Sequence, residues 1–132
     1  SLSNAANYRP VDALTLPVTN SGEAEKMAET VICNYRVAVG NEAAFESLLR
    51  EHWPTLHRLG MVTDTRALHF KGTEQDNGQP IYFEIFHWHD GAAGRAHEHP
   101  EVMAIWEPMD QLCERRAGKP NMEFPHVDAL TL

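Results

Sequence analysis

Positive charge is scarce in this sequence. Over 132 residues it has 11 Lys and Arg against 19 Asp and Glu, a net charge of −8 with histidine neutral. Such a chain repels phosphate backbones, and no local Lys/Arg stripe offsets the repulsion. Nucleic acid and anionic membrane are therefore excluded as expected partners. Cysteine is equally sparse, with only Cys33 and Cys113. Each sits among apolar residues, the pattern of small buried thiols and not of a disulfide framework. No apolar run approaches the roughly 18 residues of a membrane span. No charged segment followed by an apolar one reads as a secretory signal, so a cytoplasmic location is the expectation. Dinucleotide and phosphate-loop glycine patterns are missing. So is the strand-turn-helix serine elbow. Neither cysteine has a nucleophile's setting.

What is present reads as one domain. Residues 1–30 carry weak periodicity, broken by Pro10 and Pro17, and read as an extended arm with one helical turn near SGEAEKMAE. The domain proper spans 31–132. The hexapeptide VDALTL occurs twice, at Val11–Leu16 and Val127–Leu132. It is too short for an architectural period and is best taken as coincidence or local duplication. The sharper alternative is mutual edge-strand cover across a dimer.

Val31–Val39 alternates. Val31, Cys33, Tyr35, Val37 and Val39 share one face of a strand, and Ile32, Asn34, Arg36 and Ala38 the other. Asn41 is placed to cap the following helix. There Phe45, Leu48, Leu49, Trp53 and Leu56 recur at helical spacing. Pro54 is expected to kink or restart that helix, and Gly60 to close it. Ala67–Thr73 is a short strand, with Leu68 and Phe70 facing away from His69 and Lys71. Asn77-Gly78 suits a hairpin turn. Ile81–His89 is the return strand, and Asp90 is the expected cap of the next helix. His99-Pro100 interrupts that helix. Val102, Ile105, Trp106, Met109, Leu112 and Cys113 then continue at helical spacing. Asn121–Ala129 is a last strand, made short or peripheral by Pro125.

The order β-α-β-β-α-β is the ferredoxin-like arrangement, an α+β fold. It predicts a four-stranded antiparallel sheet with two helices on one face. Along the third strand Ile81, Phe83 and Ile85 share one face, and Tyr82, Phe86 and Trp88 the other. Both faces are apolar, and two helices can cover only one. An exposed aromatic sheet face predicts a partner surface, most simply a homodimer with a twofold interface.

The segment Ile81–Met109 holds four of the eight histidines and two of the three tryptophans. His87 and His89 share a strand face, which invites a metal reading. His97 and His99 do not fit it, because residues two apart on a helix face different ways. No metal is expected. His97 is the preferred single candidate, either as a base or donor to a substrate oxygen or as a tie between helix and sheet. Asn34 and Arg36 become oxyanion-type donors if their face looks inward, and otherwise form an interface or surface pair. His69 and Lys71 carry the same ambiguity. Glu84 lies between Tyr82 and Phe86, where desolvation favours a raised pKa, or where it pairs with Arg36 across the sheet. Trp53, Trp88 and Trp106 suit core or interface positions, with Trp106 also suited to a cavity mouth.

The strand end Phe86-His87-Trp88-His89-Asp90, followed by Ala96-His97 and His99-Pro100-Glu101, resembles the antibiotic biosynthesis monooxygenase-type domains. These are dimeric α+β barrel proteins. The resemblance covers Val31 to Val127. It implies a homodimer and a cavity between sheet and helices that takes a small apolar or aromatic ligand. Some members oxidise aromatic polyketides or quinols with O2 and no cofactor. On that footing His97, Asn34 and Trp88 would be catalytic, and Arg36, His69, Glu84, Phe86 and Trp106 would bind substrate. The alternative within the same fold is a non-catalytic ligand-binding or structural dimer. Relatives that degrade haem use a histidine late in the second helix. Met109 and Leu112 stand there instead, which argues against haem.

Overall fold

The computed structural model describes residues 28–132. Most of the expected arm, including the first VDALTL, lies outside them. Glu29 and Thr30 already belong to the first strand, β1 (Glu29–Tyr35). Helix α1 (Glu42–Arg58) follows. Strands β2 (Leu68–Thr73) and β3 (Pro80–Trp88) form the hairpin. Helix α2 is short (Ala92–Ala96), and α3 runs Pro100–Leu112. Two-residue strands β4 (Met122–Glu123) and β5 (His126–Val127) complete the sheet.

The sheet is antiparallel in the order β2-β3-β1-β4, with β5 also on β1. This is the ferredoxin-like α+β fold, with its last strand in two pieces. Pro125 is the reason: it has no N–H to give a ladder. Its carbonyl still accepts from Ile32 N at 3.0 Å, so both pieces stay on β1. The second VDALTL holds Val127 in β5 and ends with Leu130 and Leu132 exposed.

Local signals explain most element boundaries. Gly60 takes φ +74°, and the bonds Gly60 N to His57 O and Met61 N to Leu56 O close α1 in a Schellman motif. Helix α1 runs unbroken through Pro54, so the proline does not restart it. Pro54 and Arg50 are exposed, so water can reach the carbonyl that the proline leaves unbonded. Asn41 sits at the N-terminus of α1 without capping it; its side-chain amide donates to Leu112 O instead. Asp90 is not the cap of α2 either. Gly91 is, with φ +75°, a left-handed conformation that favours glycine. His99 caps α3, its Nδ1 accepting from Glu101 N at 3.2 Å.

The core lies between one sheet face and the helices. Val31, Cys33, Tyr35 and Val37 are buried, as their alternation predicts, while Val39 is exposed. Tyr82, Glu84, Phe86 and Trp88 of β3 are buried against Phe45, Leu49, Trp53 and Leu56 of α1 and Val102, Ile105 and Met109 of α3. The aromatic face of β3 is therefore the helix-covered one. The opposite face is the open one, and it is mainly aliphatic. Register sets Ile32, Ile85 and Leu68 in one row, and Phe83 beside Phe70 in the next. Leu68 and Phe70 are 56% and 54% exposed. Among the described residues, no helix is long and apolar enough to cross a membrane.

A buried ion network ties the hairpin loop to the C-terminal segment. Glu74 bonds Arg36 Nε at 3.1 Å and Arg116 Nη1 at 2.8 Å. Arg116 also donates to the carbonyls of Pro80 and Val37. The hydrogen bond from Arg116 leads the effects that hold the Glu74 carboxyl down to about 2, against its burial. A carboxyl depressed on folding stabilises the protein above its unfolded value, and that stabilisation is lost as pH falls through the folded value. Glu74→Gln is therefore expected to cost about 2 kcal/mol at neutral pH. The deficit should shrink between about pH 4.3 and 2 as the native carboxyl also becomes neutral. Urea unfolding of both proteins across that range checks it.

Candidate active site

Glu84 is the centre of the site. It is fully buried on the helix-covered face of β3, and three donors converge on it. Oε1 accepts from Tyr35 Oη at 2.7 Å and pairs with His52 Nδ1 at 2.8 Å. Oε2 pairs with His69 Nε2 at 2.8 Å. Each donor comes from a different element. Register places Tyr35 on β1 and His69 on β2, flanking β3, and α1 lays His52 over the carboxylate.

The hydrogen bonds assign the tautomer of His52. Trp106 Nε1, which can only donate, lies 2.8 Å from His52 Nε2. Nε2 is thus the acceptor and Nδ1 carries the proton that points at Glu84. The order Trp106–His52–Glu84 links α3, α1 and β3. Burial acts to raise the Glu84 carboxyl. The adjacent His52, with the hydrogen bonds from His52, His69 and Tyr35, more than offsets this and holds it down to about 2. Glu84 is an anion at neutral pH, the reverse of the raised pKa that desolvation alone suggests. Burial, with the Glu84 charge, pushes the Tyr35 hydroxyl well up, so Tyr35 remains a donor.

His52 borders a cavity of about 410 Å3 between sheet and helices. Its wall is mainly apolar: Val31, Phe86 and Trp88 from the sheet, Ala93 and Met103 from the helical side, with Met122 and Phe124. Polar groups reach it from His52, His97, Trp106, Glu107, Asp110 and His126, and among the described residues no Lys or Arg lines it. Phe86, Trp88 and Trp106 stack edge to face in series. Cys33 also lines the wall, but burial raises its thiol far above the usual range. Cys113 is likewise pushed up, to about 12, by burial. Neither is a ready thiolate.

The sequence candidates divide into three groups. His97, Trp88, Phe86 and Trp106 line the cavity, and the His97 ring lies 4.8 Å from that of Trp106. Glu84 and His69 stand behind the wall, bonded to each other, and Glu84 is also bonded to His52, which lines it. Asn34 and Arg36 are elsewhere. Asn34 points to the open sheet face, because its parity is opposite to that of Tyr35. Arg36 pairs with Glu74 and Glu123, not with Glu84. The remaining histidines of the segment disperse: His87 Nδ1 lies 2.8 Å from Thr30 Oγ1, and His99 is a helix cap. Among the described residues, no three His, Cys, Asp or Glu side chains group as metal ligands.

His52 and Tyr35 are absent from the sequence candidates. A signal for His52 exists. It falls three residues after Leu49 and four before Leu56, within the apolar stripe of α1. A polar side chain in such a stripe requires a buried partner, and Glu84 on the covered strand face is in the same need.

The fold is shared with solved structures. SnoaB from Streptomyces nogalater, a cofactor-independent oxygenase determined in a mutant form, superposes with a TM-score of 0.59 at 20% identity, over 80% of this chain and 96% of that one. A conserved protein of Methanosarcina mazei Go1 superposes with a TM-score of 0.56 at 11% identity, over the same shares. No family model matches the sequence, and no curated protein does.

Proposed function

We propose that this protein is a monooxygenase-like enzyme that oxidises a small aromatic or quinol-type substrate with O2 and no bound cofactor. The observation that carries the reading is the Glu84–His52 pair at the wall of an apolar cavity. Glu84 fixes Nδ1–H of His52, which leaves Nε2, bonded by Trp106 Nε1, as the basic atom of a ring that lines the cavity. A phenolic or quinolic hydroxyl would give its proton to Nε2, and the buried carboxylate would stabilise the imidazolium that forms. The electron-rich anion left behind would then transfer an electron to O2. Trp106 Nε1, displaced from Nε2, is placed to donate to the anion's oxygen. The structural likeness to an oxygenase supports this, as does a described wall without Lys or Arg, which suits a ligand without fixed negative charge.

Oxygen uptake with a panel of hydroquinones and anthrones tests the proposal. Uptake above background that needs His52 is the expected result, and background uptake across the panel would sink it. One observation favours a second reading, a binder without turnover: the lone pair that a base needs is already occupied by Trp106. In that case the same compounds would quench tryptophan fluorescence on binding and emerge unchanged.

The open sheet face supports a homodimer. Ile32, Leu68, Phe70, Phe83 and Ile85 form a contiguous apolar patch that the helices leave uncovered. Phe70→Glu is expected to give a folded monomer in sedimentation, with wild type sedimenting as a dimer.

A further inference from the structure

We infer that His69 is a positioning residue for the cavity base, coupled to His52 through Glu84 so that protonation of either imidazole opposes protonation of the other. The inference rests on the reading of His52 as that base. Its ground is the two-ended geometry of Glu84. One carboxylate oxygen faces His52, whose side chain is 3% exposed; the other faces His69, whose side chain is 40% exposed. Glu84 itself has no exposed surface. This gives the buried base a hydrogen-bonded connection to solvent that does not pass through the cavity.

One carboxylate can neutralise one imidazolium. If His52 takes a proton from a hydroxyl in the cavity while His69 is charged, two cations share one anion. The second charge is then relieved by loss of the His69 Nδ1 proton to water. His69 keeps Nε2–H on Glu84 Oε2 throughout, and no proton crosses the carboxylate. One proton enters at His52 Nε2 and one leaves at His69 Nδ1, so the charge around Glu84 is unchanged. In the reverse direction, when His52 returns its proton to product or water, His69 takes one up.

The surrounding groups suit this exchange. From β1, Tyr35 and Cys33 face Glu84, and burial keeps both protonated. His69 shares an outer cleft with Glu46 and Arg50 of α1, Lys71 of β2 and Tyr82 of β3. Glu46 there is bonded by Tyr82 and lies 3.7 Å from Lys71, so its charge is already partnered. On the cavity side, Glu107 and Asp110 of α3, His97 and His126 line the same wall as His52. The ring signals of those two histidines must be resolved from those of His52 and His69.

The test is an NMR titration of the imidazole nitrogens between about pH 5 and 9, with no substrate present. In His69→Gln the side chain can still donate to Glu84 but carries no charge. The His52 midpoint is expected to rise by about one pH unit, the scale of two charges a carboxylate apart in a partly shielded site. Reciprocity gives the pair one coupling free energy, so the ring that protonates second shows the rise in full and the ring that protonates first shows little of it. Where the two midpoints lie close together, wild type alone gives a further reading, because coupled rings then titrate in two steps. Midpoints that stay in place at both rings, His52 in His69→Gln and His69 in His52→Gln, overturn the inference. A His69 with a purely structural role would change stability and leave both midpoints in place. Since the titration needs no turnover, failure of oxygen uptake would count against the oxygenase reading and leave the coupling standing. Failure of the coupling would leave the oxygenase reading standing.

Discussion

His52→Gln is expected to fold normally and to lose about 10²–10⁴-fold in oxygen-consuming turnover, the usual contribution of a positioned general base. Glutamine is chosen because it can keep both neighbours. Its amide N–H can donate to Glu84, and its carbonyl can accept from Trp106, the two bonds that His52 makes. What it cannot do is take a proton. A fall in kcat with little change in KM would match a group that acts mainly in the transition state. Turnover equal to wild type would remove His52 from the chemistry and pass the role of base to His97, which also lines the cavity. Trp106 fluorescence should change little in the variant, because its Nε1–H stays bonded.

Glu84→Leu is expected to cost about 3–5 kcal/mol of stability, the largest loss expected from any single change in the site. Leucine fills much of the volume but accepts no hydrogen bond. Tyr35 and His52, both buried, then lose their acceptor, while the partly exposed His69 can turn to water. Equilibrium urea unfolding measures the loss. Glu84→Gln separates charge from shape, because the amide oxygen can still accept on one side, and it should cost roughly half as much. The pH dependence has a definite sign. The Glu84 carboxyl is held down to about 2, so its contribution is complete above the unfolded value near 4.3. It fades as pH falls from there through the folded value, and the gap between wild type and Glu84→Gln should close over that window. A gap that stays constant down to acid pH would mean that the carboxylate charge is not what stabilises the site.

Most of the fold is legible in the sequence because its signals are local. Alternation at Val31, Cys33, Tyr35 and Val37 and helical spacing at Phe45, Leu49, Trp53 and Leu56 both mark residues that the fold buries. Glycine at a left-handed position ends α1, and Pro125 divides the last strand. Other local signals are weaker than their surroundings. Asn41 and Asp90 have good capping chemistry, yet Asn41 bonds a distant carbonyl and Gly91 supplies the geometry that Asp90 would have to fit. Pro54 leaves α1 continuous because it lies toward solvent.

The site is less legible, and Glu84 shows why. Its place on the aromatic side of β3 follows from a period of two, so the sequence alone determines that it neighbours Tyr82 and Phe86. Whether that side is covered depends on where the helices pack, and both sides of β3 are apolar enough to be buried. With the aromatic side covered, Glu84 must find partners inside the protein. Arg36 has the right charge but the wrong parity, and it is bound to Glu74 and Glu123 at the end of the sheet. The partners are His52, 32 residues earlier in the chain, and Tyr35 and His69 across the neighbouring strands. The sequence by itself determined the elements, their order and the apolar face of each, because periodicity depends only on near neighbours. Only the tertiary structure decided which face of the sheet closes over a carboxylate, and hence which histidine borders the cavity, because hydrogen bonds to a buried charge form between residues that the chain brings together from far apart.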